Sequence, residues 1–360
     1  FVGTYTGNQN TSGGANVFLG KYAGRDTSTG SNNIALGERA LMDGTTTGDD
    51  NIFMGYYAGN GVTSGNDNIF FGESAGRCIA TGTENIGLGR DAMKVGPATG
   101  TQNIAIGCKA GEDITSGQYN IALGSRAMGT STLTGNNNYA IGNCAGTNIT
   151  SGSYNIMFGY NAGCSDDDGT HQVFIGYNAG KCMQGDSNVA IGRDAGRGSS
   201  TPASNSGTDN VSIGMYAGQE LTSGAQNVLI GRDAGNAITS GNKNVVIGYN
   251  VDPASNTGTG QLAIGCNGTC WISGDSSFVV TTRTHVPETN NTYDLGSSSL
   301  RWANLYTQDL ELSNEAKKDT GGNDVDGTWG DWTLQEGEEN IYMINNRTGK
   351  KFKINMTEVT

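Results

Sequence analysis

The chain has 360 residues, 59 of them glycine and only 15% charged, with four prolines, seven cysteines and a formal net charge of −13. Glycine is well above the roughly 7% of an average domain, but proline is rare and no three-residue glycine period exists, which excludes collagen-like and polyproline chains. The acidic balance excludes a phosphate-tracking nucleic-acid binder, because such affinity comes from clustered Lys and Arg.

The opening FVGTYTG already lies inside a repeat, so the expectation is a piece of a longer polypeptide. Fifteen copies of one phrase follow, anchored at Asn16, Asn33, Asn51, Asn68, Asn85, Asn103, Asn120, Asn138, Asn155, Gln172, Asn188, Asn210, Asn227, Asn244 and Gln261. Nine of the fourteen spacings are 17 residues, three are 18, one is 16 and one is 22. Self-similarity at a fixed period means stacked units that cannot bury their own faces alone, so a β-solenoid is expected.

Each position within the copy carries a physical reading. Glycine stands three residues before and four residues after every anchor, at corners that need positive φ or close backbone approach. The residues one and three after the anchor are large and apolar, which reads as a short strand pointing both into the core. On that reading Phe18, Phe53, Phe70, Met157 and Phe174, two after the anchor, face outward and need a multi-chain bundle to cover them. Alanine occupies the seventh position in thirteen copies, implying a narrow core, and Val62, Ile79, Ile114, Ile149, Leu221 and Ile238 add a further inward group. Stacked anchors predict an Asn ladder. All three 18-residue spacings follow copies in which Leu41, Met93 or Met128 replaces a glycine, as if a longer corner were plugged.

Several motifs tempt a chemical reading. GESAG at 72–76 matches a nucleophile elbow, but it is the repeat itself, and the Ser74 position holds Tyr57, Lys109, Cys144 or Asp194 elsewhere. GLGRDA from Gly87 mimics a dinucleotide fingerprint without a surrounding βαβ unit. No catalytic residue and no cofactor site is expected, and the chain is read as a non-enzyme, a polysaccharide depolymerase being the enzyme alternative. The corner CSDDDGTH offers Asp166, Asp167 and Asp168 as weak candidates for a Ca²⁺ site, a solvated acidic corner being the plainer reading. Cys266 and Cys270, spaced CxxxC without a partner pair or nearby His, make a poor zinc site; unbridged thiols are expected throughout. Outer tyrosines (Tyr22, Tyr56, Tyr57, Tyr160, Tyr177, Tyr216, Tyr249) suit ladder packing better than sugar stacking. A recurrent TSG corner raises an ice-binding Thr face, which Ala80 and Asp167 interrupt. Lys350, Lys351 and Lys353 read as a solvated strand face. The 22-residue spacing carries a projecting loop from Gly196.

The copies, in the form NIAIGxxAG, resemble the parallel β-roll heads of trimeric autotransporter adhesins and the related shafts of phage tail fibres, over residues 1 to about 270. NTYDLGSSSLRWANLYTQDLELSN, from Asn291, resembles the DLGS…RW…LYT segment near the C-termini of phage tail fibres and tail spikes. In many of those relatives an autocleaving chaperone follows. No Ser-Asp-x-Arg-x-Lys-like signature occurs here, which leaves open a removed chaperone or none. The last stretch, from Trp329, alternates polar and apolar residues around Asn346–Gly349 and reads as a hairpin similar to terminal segments of marine cyanophage structural proteins.

These readings give an all-β chain: a parallel β-solenoid of about sixteen 17-residue coils (1–270), a tail-fibre-like trimerisation segment (271–313), a linker (314–328) and a C-terminal hairpin domain (329–360). The resemblance implies a homotrimeric structural protein of the virion acting in host attachment. Its partners would be other virion tail proteins and a host-surface glycan or protein receptor, with no nucleic acid and no membrane insertion. The alternative is the head of a bacterial surface adhesin.

Overall fold

The computed structural model describes residues 1–281 except 97, 166, 202 and 203, and beyond them residues 307, 309–313, 315, 318 and 328–355. The chain divides into two compact units, Phe1–Arg283 and Thr284–Thr360. Among the described residues no α-helix occurs.

The first unit is a β-solenoid. Fifteen short strands, β1 (Val17–Leu19) to β15 (Leu262–Cys266), pair in parallel with equivalent residues side by side, as in Ile104↔Ile121, Ala105↔Ala122 and Ile106↔Leu123. Val2 forms a parallel bridge to Leu19 and so supplies the partial sixteenth coil. Pairing is not confined to the strands. Corner residues also bond to the next coil, for example Gly59 N–H to Ala75 O at 2.9 Å and Gly76 N–H to Ala92 O at 2.9 Å, so the coil's corners join the ladder too. The two invariant glycines make this stacking possible: a Cβ on Gly107 (φ +136°) would meet the Gly124 carbonyl oxygen at 2.6 Å.

The core differs from the expectation at the strands. Phe18, Phe53, Phe70, Met157 and Phe174, expected outside, are at most 1% exposed, whereas Val17 and Leu19 are 53% and 49% exposed. Each of these fifteen strands therefore turns its second residue, the middle one of a three-residue strand, inward and its first and third outward. The reason is width. One residue per strand fills the inside, opposed by the corner alanines and the later apolar group, including Val62, Ile79, Ile114 and Leu221, all fully buried.

Inward volumes compensate within several coils. Where the middle residue is Phe, the residue six later is glycine, and a Cβ on Gly76 would sit 2.2 Å from the Phe70 ring. Where the middle residue is Ala35, Gly87 or Ala122, that same corner carries Leu41, Met93 or Met128, at most 1% exposed and at φ of 51°, 50° and 49°. These are the three longer coils. Their extra residue also moves the next inward group along, so Thr27 bridges Thr46, Ile79 bridges Ala98 and Ile114 bridges Leu133.

The anchor ladder forms as expected. Asn103 donates through Nδ2 to Asn85 Oδ1 (3.1 Å) and to Gly117 O (2.8 Å), and its Oδ1 accepts from the backbone N–H of Asn120 (2.9 Å) and from Asn120 Nδ2 (3.1 Å). From Asn33 onward every anchor Asn as far as Asn244 is at most 1% exposed, so each bond acts in a low-dielectric interior. Gln172 keeps the ladder going, its Oε1 accepting from Asn188 N–H at 3.0 Å.

After β15 the chain reverses. β16 (Thr269–Gly274) pairs antiparallel with β15, and β17 (Val279–Thr281) antiparallel with β16. The reversal is a two-residue turn, Asn267-Gly268, both at positive φ (50° and 72°), the backbone a tight hairpin demands. Asn-Gly was there to be read in the sequence, where the flanking cysteines drew attention instead.

In the second unit β18 (Asp309–Ser313), β19 (Asp331–Glu336), β20 (Ile341–Asn345) and β21 (Lys351–Lys353) form one antiparallel sheet. Leu310 lies opposite Leu334, Leu334 opposite Met343, and Met343 opposite Phe352, placing these on one face. The hairpin around Asn346–Gly349 joins β20 and β21, with Gly349 at φ +69°. Most of the expected trimerisation segment, including Trp302, and nearly all of the linker lie outside the described residues.

Candidate functional site

The outward strand residues align into two columns running the length of the solenoid. One column contains Val17, Ile52, Ile104, Ile156 and Val211, the other Leu19, Met54, Ile106, Phe158 and Ile213. Phe71, Ile106, Phe158 and Ile230 are 37–41% exposed. An apolar strip of this extent is large for an exposed surface.

Tyrosines border the strip. Tyr160 stacks on Tyr177 (centroids 5.2 Å, planes 11° apart), Tyr5 on Tyr22 (5.4 Å, 3°), and Tyr154 on the His171 ring (5.2 Å, 12°). The Tyr57 ring lies between the guanidinium groups of Arg39 (5.1 Å) and Arg77 (4.8 Å). In the stacked pairs each ring covers one face of its neighbour in the next coil, the geometry of a ladder.

The TSG hydroxyls act between coils. Thr11, Thr63 and Thr222 donate to the carbonyls of Ser28, Ala80 and Thr239 at 2.9–3.0 Å. Ser74 sits in a left-handed corner (φ 56°) and is 7% exposed, and the His171 ring is taken up by its stack with Tyr154. Among the acidic candidates Asp166 lies outside the described residues. Asp167 and Asp168 are exposed, and Asp167 Oδ1 accepts from Gln184 Nε2 at 3.2 Å. Among the described residues no group of three or more His, Cys, Asp or Glu side chains converges, and all seven cysteines are free thiols.

The loop from Gly196 is held by Asn205, which is fully buried. Its Nδ2 donates to Cys182 O (2.8 Å) and Ser199 O (2.9 Å), and its Oδ1 accepts from Ser199 N–H (3.0 Å). Arg197, Ser199, Glu220, Thr222 and Thr239 line a polar groove at its base.

At the far end of the solenoid a second groove, lined by Asp252, Leu262, Cys270 and Phe278 among others, holds a titratable group. Burial pushes the Asp252 carboxyl above the usual carboxylate range, the Ala237 N–H pulls it back, and Asp233 and Glu220 push it further up. A carboxyl raised in the fold contributes stability below its unfolded pKa and loses it as pH rises through the folded value. Replacing Asp252 by Asn should therefore raise the melting temperature at pH 7 and leave it close to wild type at pH 3, as measured by thermal unfolding at both pH values.

Trp271 is 42% exposed on β16. Trp329 lies under the Arg347 guanidinium at 3.8 Å, and Trp332 packs on Phe352 at 5.6 Å. No helix among the described residues is long and apolar enough to cross a membrane. Compared with protein-family models, with curated proteins and with solved structures, the chain matches none.

Proposed function

We propose that the chain is a structural attachment protein, the shaft and small C-terminal β-domain of a homotrimeric phage tail fibre or similar virion appendage. Its role is mechanical and multivalent: stacked coils give length and stiffness, and several copies of a weak surface site give avidity for a host-surface glycan or protein. The observation that carries this reading is the uncovered double column of Ile, Val, Leu and Phe along one side of the solenoid. Fifteen strands about 4.8 Å apart and about 10 Å wide present roughly 700 Å² per copy, close to the ≈ 800 Å² per partner of a standard stable interface. The resemblance of the NIAIGxxAG copies to adhesin heads and fibre shafts supports the same reading, and the Gly196 loop and the C-terminal unit are where receptor or virion partners would be met.

Light scattering coupled to size exclusion tests it. The expected mass is three times the 37.3 kDa of one chain. A species of one chain mass at micromolar concentration overturns the proposal.

A further inference from the structure

The apolar face has a difficulty of its own. Its rungs are nearly identical, so two copies could slide by one coil, or lie head to tail, and still match Ile to Ile; uniform strands specify register weakly. Something non-periodic must fix it.

The departure lies near the middle. On the Asn155 and Gln172 rungs both borders of the strip are aromatic: Tyr154 and His171 precede the strands by two residues, Tyr160 and Tyr177 follow them by two. Each border is a stacked pair, and Phe158 is exposed between them. Tyr154, Tyr160 and Tyr177 are 57%, 47% and 50% exposed. No other two adjacent rungs carry aromatic pairs on both borders.

We infer that this four-ring girdle is the register lock of the self-association face, and that copies of the chain associate parallel and in register through it. The inference rests on the self-association proposed above. When copies close around an axis parallel to the solenoid, the trailing border of one meets the leading border of the next. In parallel register this sets Tyr160 and Tyr177 against the neighbour's Tyr154 and His171, ring edges toward rings, an arrangement aromatic groups favour. A one-coil slip leaves one ring of each pair facing a non-aromatic residue. An antiparallel pair brings like borders together: centred on the Asn138 rung it sets Tyr160 against Ser125 and Tyr177 against Cys108, and centred between the Asn155 and Gln172 rungs it sets Tyr160 against Tyr177 but leaves the first three strands without a partner strand. Central, exposed aromatic clusters are also where binding energy concentrates in protein interfaces.

The test places the photocrosslinking residue p-benzoylphenylalanine at Tyr160 of the full chain, followed by irradiation and peptide mapping. Crosslinks to Tyr154 or His171 of another copy are expected. Crosslinks to the Ser125 region, to Tyr160 or Tyr177, or spread over many rungs, overturn the parallel register while leaving self-association standing. A single-chain mass with no intermolecular product overturns both. As a second readout, Tyr160→Ser with Tyr177→Ser should keep the oligomer while crosslinks from a probe at Leu88 spread over adjacent rungs; a single unchanged crosslink there means the girdle does not set register.

Discussion

Replacing Asn103 by Leu should lower the unfolding free energy by about 3–5 kcal/mol, as read from urea denaturation, because the change strips partners from groups that no water reaches. The Gly117 carbonyl loses its amide donor and the Asn120 N–H its acceptor, each a buried group whose orphaning costs about 1–3 kcal/mol. Leucine cannot replace either bond, and its bulk enters a channel sized for an amide. The loss should be local in origin and long-ranged in effect. A solenoid's stability is a sum of coil terms and nearest-neighbour terms, so weakening one junction uncouples the coils on either side. Hydrogen exchange should then show faster opening centred on residues 103–120. Asn103→Gln should cost much less, since Gln172 already continues the ladder at its own rung.

Phe53→Ala is expected to cost about 3–5 kcal/mol, the range for emptying a fully buried aromatic site that cannot collapse around the gap. The coil before it shows how the space can be refilled. There Ala35 is the middle residue and Leu41 fills from the corner, whereas here Phe53 fills and Gly59 yields, a Cβ on Gly59 lying 2.6 Å from the ring. Adding Gly59→Leu to Phe53→Ala should recover about 1–2 kcal/mol of the loss, net of the strain of a non-glycine residue at φ +61°. In the wild-type background Gly59→Leu should destabilise by overpacking. The opposite signs, measured as a double-mutant cycle by chemical denaturation, identify the two positions as sharing one volume.

That shared volume explains what the sequence could and could not show. The period, the anchor ladder, the glycine corners and the plugged long coils were all legible, because each is a single residue type repeated with a single backbone reason. The direction of the strands was not. Period two says only that alternate residues share a face, and here both sets are apolar. The uniformly large, apolar first and third positions looked like core, while the changing Phe, Ala, Gly, Met and Ser of the middle position looked like surface. The structure inverts this: the middle residue is buried and can vary where another inward group fills the space, as Leu41, Met93 and Met128 do beside Ala35, Gly87 and Ala122, and the outer residues stay apolar because one flat face repeats. Part of the discriminating signal was present six residues apart, in the pairing of every middle Phe with Gly and of Ala35, Gly87 and Ala122 with Leu41, Met93 and Met128, although Ala105, Ala140 and Ala190 also keep a glycine there. The outward apolar residues were read for the same reason from the wrong positions: Phe18, Phe53 and Phe70 were placed outside, where Val17, Ile52 and Ile69 lie. The tyrosine ladder was legible in its positions. The girdle was not, because the repeat assigns no role to Tyr154 or His171 until the stacking of their rings is seen.

The in-register pairing of equivalent residues has a bearing on heredity. Each coil bonds to its neighbours through positions that every copy supplies, so removing or duplicating one whole phrase leaves all columns continuous, whereas an insertion of a single residue must be absorbed at a corner, as the Leu41, Met93 and Met128 coils do. Unequal recombination between copies would therefore change the reach of such a protein in steps of one strand spacing without passing through a misfolded ancestor. Length becomes a quantised trait, free to vary on either side of the girdle that keeps neighbouring chains aligned.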